Sequence, residues 1–72
     1  MNREGYWVRT LINGEVSSVV YATNDYKDRY WDFDNHVWVD LENPVMDLSD
    51  NDDWDKVSES EALSALGLTA WE

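Results

Sequence analysis

The sequence predicts a single α+β domain over residues 1–72, with an antiparallel sheet of about four strands in two hairpins and one short C-terminal helix. Three observations predict this fold class. Four segments before residue 42 are rich in β-branched and aromatic side chains. A helix-start signal follows them near the C-terminus, and no repeat or linker divides the chain. Strands followed by a helix are typical of the α+β class.

The first hairpin is predicted from Asn13-Gly14, which lies between the strand-like segments 6–12 and 15–22. This dipeptide is a strong hairpin signal, because both central residues of a type I′ turn need a positive φ. A two-residue loop sorts the apolar side chains onto two faces, with Tyr6, Val8, Val19 and Tyr21 on one and Trp7, Leu11, Val16 and Val20 on the other. We therefore expect apolar residues on both faces of this hairpin.

The second hairpin is predicted over segments 29–33 and 37–41, with a three-residue loop at 34–36. A two-residue loop would place apolar and acidic side chains together on the same face of the hairpin, so the longer loop is preferred. It places Trp31, Phe33, Val37, Val39 and Leu41 on one face, and Tyr30, Asp32, Trp38 and Asp40 on the other. Trp38 is then expected at the surface among acidic side chains.

Pro44 is expected to end the sheet, because proline cannot donate a hydrogen bond to a neighbouring strand. The segment 44–56 has no sustained period and is predicted to be a loop. A helix is predicted after it, because Ser58 and Glu61 have the spacing of a capping box and Gly67 suits a left-handed stop.

The charge balance is the most unusual feature of the composition. The chain has 16 acidic and 5 basic residues and a net charge of −11. Residues 1–31 hold four of each sign, so the whole imbalance lies in residues 32–72, where Lys56 is the one basic residue. A hydrophobic content of 43% with five tryptophans predicts a chain that folds despite this repulsion.

Few catalytic or metal-binding chemistries fit the sequence. It has no cysteine, and His36 is the only histidine, so thiolate and histidine metal sites and a catalytic triad are not expected. The acidic run 50–55 fails the EF-hand pattern, because Trp54 occupies a ligand position and Asp55 the glycine position. We predict a protein that is not an enzyme and has no cofactor. Casual divalent-ion binding and sugar stacking on tryptophans remain alternatives.

Location is predicted from the apolar segments. The first residues contain no apolar segment of signal-peptide length, and no run approaches the length of a membrane span. We therefore expect a cytoplasmic protein that does not enter a membrane.

The concentrated acidic residues are predicted to imitate phosphates, with a merely solubilising surface as the alternative. Alternate residues along a strand are about 6.6 Å apart, close to the spacing of successive phosphates. Asp32 with Asp34, or Asp40 with Glu42, could therefore occupy neighbouring phosphate positions. The candidate partner-binding residues are Asp32, Asp34, Asp40, Glu42, Asp47, Asp50, Asp52, Asp53, Asp55, Tyr30, Trp38 and Trp54.

In size, acidity, lack of cysteine and aromatic content, the sequence resembles the small acidic DNA-mimic proteins of phages and mobile elements, which include anti-restriction and anti-CRISPR inhibitors. These proteins share no motif, so no functional residue is carried over. The resemblance implies an inhibitor in the host cytoplasm that occupies the basic nucleic-acid-binding surface of a nuclease or effector complex. It implies no direct binding of nucleic acid. A monomer or a homodimer is expected.

The alternative from a different class is a structural or accessory subunit. It would associate through a sheet edge or through the apolar face of the first hairpin. The deciding contacts would then involve Tyr6, Val8, Val19 and Tyr21.

Overall fold

The computed structural model describes residues 3–46, 48 and 53–71. It contains one antiparallel sheet and one helix, which confirms the α+β class. The sheet has five strands in the order β4-β3-β2-β1-β5, and not the four that were predicted. The elements are β1 (Gly5–Thr10), β2 (Val16–Ala22), β3 (Arg29–Asp32), β4 (Val37–Asp40), β5 (Trp54–Val57) and α1 (Glu59–Leu66).

The additional strand, β5, lies in the segment that was predicted to be a loop. It pairs antiparallel with β1, and Asp55 lies opposite Val8. The short strand has no clear alternation of apolar and polar residues that would reveal it locally. It packs one apolar side chain on each face of the sheet, Trp54 beside Trp7 and Val57 against the cluster that contains Val8. This pairing joins the two ends of the chain, so a local pattern does not encode it.

The first hairpin has the predicted pairing in its body but a different loop. Tyr6 lies opposite Tyr21, as expected from a two-residue loop. The turn is nevertheless closed by the N–H of Gly14, which donates to Leu11 O at 2.8 Å, and Gly14 has a φ of 87°. Asn13 is not among the described non-glycine residues with positive φ. The loop therefore has three residues and is not of type I′.

A β-bulge reconciles the longer loop with the predicted pairing. The register shifts between Arg9 and Thr10, and Ser17 is the residue of β2 without an opposite partner. An extra residue in one strand turns the following side chains to the other face. Val16 consequently packs on the same side as Val8, and the prediction that it shares a face with Trp7 was wrong.

The second hairpin differs from its prediction by one residue in register. Trp31 lies opposite Trp38, and the loop has four residues, closed by the N–H of His36, which donates to Asp32 O at 2.9 Å. His36 has a φ of 54°. The two indoles therefore share a face, with ring centroids 5.2 Å apart. The predicted separation of Trp31 from Trp38 was wrong, because this register buries both large apolar side chains on one side.

The face of the sheet that carries Val8, Val19 and Trp31 is covered by the helix, and we call it the helix face. Val8, Val19 and Trp31 are buried there together with Ala62. The aromatic rings of Tyr6, Trp38 and Trp71 pack around them. Half of the ten aromatic residues thus pack together on this face, namely Tyr6, Tyr21, Trp31, Trp38 and Trp71.

The other face of the sheet, which carries Trp7, Val20 and Ala22, is called the groove face. Its smaller core contains Trp7, Ala22 and Leu48, with Val45 packed beside them. Leu48 and Val45 belong to the connection between β4 and β5. This connection supplies the apolar cover for the β1 side of the face.

The helix begins and ends as the sequence predicted. Ser58 Oγ accepts the N–H of Glu61, and the Glu61 carboxylate accepts the N–H of Ser58, both at 3.2 Å, which completes the capping box. Gly67 has a φ of 72° and ends the helix in the left-handed region. Among the described residues, no helix is long and apolar enough to cross a membrane.

Candidate partner-binding surface

The acidic candidates lie in three separate places on the sheet. β4 and β5 are the two edge strands, so the acids associated with them are separated by roughly 19 Å across the sheet. The described members are Asp32 and Asp34 at the β3–β4 loop, Asp40 and Glu42 where β4 ends, and Asp53 and Asp55 at β5. Asp47, Asp50 and Asp52 lie outside the described residues.

Asp32 holds the β3–β4 loop together. Its Oδ1 accepts the N–H groups of Asp34 at 2.9 Å and Asn35 at 3.1 Å, and its Oδ2 accepts the Asn35 side chain at 3.0 Å. The hydrogen bonds from Asn35 and Asp34 lower the pKa of Asp32. Asp34 is exposed at the tip of the loop.

The structure does not provide the phosphate spacing that was expected from an extended strand. β3 ends at Asp32, so Asp34 lies in the loop that follows. β4 likewise ends at Asp40, and Glu42 lies in a bend beyond it. The 6.6 Å repeat of strand residues therefore applies to neither pair, and that part of the sequence argument was wrong.

The basic residues lie against groups of the same molecule. Arg29 Nε is 2.8 Å from Asp40 Oδ1, and a looser pair joins Arg9 to Asp53 at 3.7 Å. The other contacts are Arg3 with Asp28 at 2.6 Å, Lys27 with Asp25 at 4.0 Å, and Lys56 Nζ 5.8 Å from the ring centroid of Trp7. Four of the five cations thus pair with carboxylates of the same molecule and Lys56 lies beside an indole, while Asp34, Glu42 and Asp55 are exposed carboxylates outside these ion pairs.

A groove of about 640 Å³ opens on the groove face, and Leu41 and Val45 of the β4–β5 connection belong to its lining. Tyr30, which pairs with Val20, is 37% exposed in it, and Phe33 is 44% exposed. The carboxylate-bearing residues Asp32 and Asp34 belong to its lining. The main apolar lining residues are Val20, Tyr30, Phe33, Leu41, Val45 and Trp54.

The three aromatic candidates have different surroundings. Tyr30 and Trp54 both line the groove, and Trp54 also packs beside the Trp7 core. Trp38 packs into the helix-face core, with its ring centroid 4.9 Å from that of Trp71. The prediction that Trp38 lies exposed at the centre of an acidic surface was therefore wrong.

Phe33, Leu41 and Val45 line the groove but were not among the predicted site residues. Phe33 and Leu41 had been assigned to the apolar face of the second hairpin. The sequence contained one signal against that assignment. An Asp at 32 followed by Asn at 35 can cap its own turn through side-chain hydrogen bonds, which moves Phe33 from the strand into the loop.

Among the described residues, no group of three or more His, Asp or Glu side chains is arranged to hold a metal ion. No family model matches the chain, and no significant match was found among curated proteins or solved structures. Charge and shape are therefore the properties that bear on function. The relevant features are the exposed carboxylates and the open apolar groove.

Proposed function

We propose that the protein is a non-enzymatic inhibitor that binds the basic nucleic-acid-binding surface of a host nuclease or of a restriction or CRISPR effector. The observation that supports this proposal is the arrangement of charge. The cations contact carboxylates or an indole of the same molecule, whereas exposed carboxylates such as Asp34 and Glu42 face outward. The protein therefore presents a negative field to its surroundings.

The positions of the acidic residues determine which form of phosphate mimicry we propose. Because the described acids lie at both ends of β4 and at β5, we do not propose one line of phosphate-like charges. They act as separate negative groups on a small domain with principal extents of 28 × 25 × 19 Å. The basic cleft in which a partner protein binds a nucleic-acid backbone would attract this negatively charged protein. Counterions would be released when the two surfaces meet.

The test is capture of partners on the immobilised protein at low salt, with elution by a salt gradient and identification of the captured proteins. The proposal expects a nuclease or nucleic-acid-binding complex that DNA or RNA displaces and that elutes as salt rises. A captured partner that is indifferent to both salt and nucleic acid would contradict it.

Two matched double variants test which carboxylates carry the interaction. Asp34→Asn with Glu42→Gln removes two charges beside the β3–β4 hairpin. Glu15→Gln with Asp25→Asn removes the same charge from two exposed loops outside the candidate surface. The first variant should weaken binding to the identified partner more than the second. Equal weakening would mean that only net charge matters and that the hairpin acids have no particular role.

The second candidate function is a structural or accessory subunit that associates through a sheet edge. The β1–β2 hairpin cannot supply that edge, because β5 and β3 flank it and Val8 and Val19 are buried. The edge strands of the sheet are β4 and β5. Sedimentation velocity at low and high salt distinguishes the two functions, since pairing of backbone edges would give complexes that persist as salt rises.

A further inference from the structure

The groove is a gap in the layer that covers the groove face. On the β1 side of this face, Val45 and Leu48 cover Trp7 and Ala22. On the β3 side Leu41 and Val45 line the groove, and Tyr30 and Phe33 remain partly exposed. The described residues therefore cover the β1 side of this face more fully than the β3 side. An exposed apolar concavity of this kind is typical of a binding site.

The rim of the groove is negative. Asp34 lines it and is exposed, whereas Asp32 beside it is already occupied by the hydrogen bonds of the loop. No lysine or arginine of the described part of the chain lines the groove. The hydroxyl-bearing residues Ser17 and Ser18 also belong to the lining. An occupant that matches these surroundings is apolar where it enters the groove and positively charged where it meets the rim.

We propose that this groove binds an apolar side chain of the partner protein, aliphatic or aromatic, that is flanked by lysine or arginine. The inference rests on the proposed function and deepens it, because it identifies how a basic surface is anchored once charge has brought the two proteins together. The negative field increases the rate of encounter. Burial of an apolar anchor between Tyr30 and Phe33 slows dissociation, since central apolar contacts dominate the affinity of many interfaces.

The anchor makes a specific prediction about salt. Charge contacts between exposed groups weaken as ionic strength rises, but burial of an apolar side chain does not. The complex should therefore retain a residual, salt-insensitive affinity. Removing the apolar anchor should abolish that residual affinity and leave the salt-dependent part.

Three capped nine-residue peptides serve as probes of the groove. One alternates lysine and leucine, the second alternates lysine and serine, and the third alternates glutamine and leucine. Binding is followed through the backbone amide resonances of the ¹⁵N-labelled protein. The proposal expects saturable shifts at Ser18, Tyr30 and Phe33 with the lysine–leucine peptide, and at least tenfold weaker binding of the other two. Equal shifts with lysine–serine, or shifts only outside the groove, would overturn it.

A pair of substitutions provides the matched control in the protein itself. Phe33→Ser removes an apolar ring from the groove, and Ile12→Ser removes a fully exposed apolar side chain from the β1–β2 loop outside it. Phe33→Ser should weaken binding of the lysine–leucine peptide by roughly tenfold, and Ile12→Ser should leave it unchanged. Equal affinity of the two variants would exclude the groove as the site.

The same substitutions separate this inference from the proposed function. If Phe33→Ser leaves the salt-insensitive part of the partner's affinity unchanged while Asp34→Asn with Glu42→Gln weakens the salt-dependent part, the inhibitor function stands and the groove proposal fails. If no nucleic-acid-binding partner is captured but the lysine–leucine peptide binds in the groove, the groove proposal stands and the inhibitor function fails.

Discussion

The guanidinium of Arg3 and the carboxylate of Asp28 form two hydrogen bonds side by side, Nη1 to Oδ1 at 2.6 Å and Nη2 to Oδ2 at 2.7 Å. Asp28 is 1% exposed and also accepts the N–H groups of Thr23 and Val45. Arg3 in turn donates to Val45 O at 2.8 Å. One buried pair therefore joins the segment before β1, the β2–β3 loop and the connection that covers the groove face.

Replacing Arg3 by glutamine should lower the free energy of unfolding by about 3–5 kcal/mol, because it leaves the Asp28 carboxylate buried without its cation. The measurement is urea unfolding followed by circular dichroism. Lys27→Gln is the matched control, since the exposed Lys27–Asp25 pair, 4.0 Å apart, should contribute little to stability. Similar losses of unfolding free energy in both variants would show that the Arg3–Asp28 pair contributes no more to stability than the exposed pair.

Asp28 should titrate below its ordinary range. Burial raises the pKa of Asp28, but hydrogen bonds from Arg3 and from the N–H groups of Val45 and Thr23 outweigh it, so the net pKa is lowered. A carboxyl whose pKa is lower in the folded state stabilises the fold above about pH 4, and that contribution is lost as pH falls through the folded value. The carboxyl ¹³C resonance of Asp28 measures this directly. A midpoint at or above about 4 would contradict the prediction.

One tyrosine should titrate late at high pH. Burial and the hydrogen bond from Tyr6 Oη to Glu59 Oε2, at 2.7 Å, raise the pKa of Tyr6 to about 12. Because the folded pKa lies above the ordinary value of about 10, stability from this group is complete below pH 10 and is lost as pH rises toward 12. Absorbance at ~295 nm should show this late step. In Glu59→Gln the step should move to lower pH, and an unchanged midpoint would count against the contact.

The observed register of the second hairpin predicts losses of stability of different size for two neighbouring residues. Trp38→Ala should lower the free energy of unfolding by about 3 kcal/mol, because its indole packs against Trp31 and Trp71. Val37 is 48% exposed, so Val37→Ala should cost less than about 1 kcal/mol. Denaturant unfolding of the two variants compares the costs. The reverse order would support the register that the sequence alone predicted.

Local signals in the sequence predicted local structure correctly. The capping box at Ser58 and Glu61 and the stop at Gly67 determine where the helix begins and ends. Each of these signals consists of residues within one turn of the helix end that it sets. The pairing of Tyr6 with Tyr21 was also predicted correctly, although the loop has three residues and a β-bulge at Ser17 restores the register. In all these cases the determining residues are close along the chain.

Two features were missed, one that depends on a distant contact and one that depends on a local contact. β5 pairs with β1, which is distant along the chain, and no pattern near Trp54 indicates that pairing. The second hairpin was shifted by one residue because the hydrogen bonds of Asp32 to its own loop were not weighed against the alternation of apolar residues. A shift of one residue reverses every side chain, which is why Trp38 was assigned to the wrong face.

The candidate surface was likewise predictable only in part. Composition alone showed the excess of acids after residue 31, and the exposed carboxylates Asp34 and Glu42 belong to that excess. Composition could not show that Asp40 lies beside Arg29, or that Leu41 and Val45 border an open groove. Those facts depend on the path of the chain between β4 and β5.

The position of β1 between β2 and β5 has a consequence for synthesis of the protein. The first four strands follow one another in space as they do in sequence, so they can assemble as the chain leaves the ribosome. Until Trp54–Val57 has emerged, however, the outer edge of β1 has no partner and can pair with another nascent chain. The last quarter of the sequence therefore protects the first strand from aggregation, and a prematurely terminated chain lacks that protection.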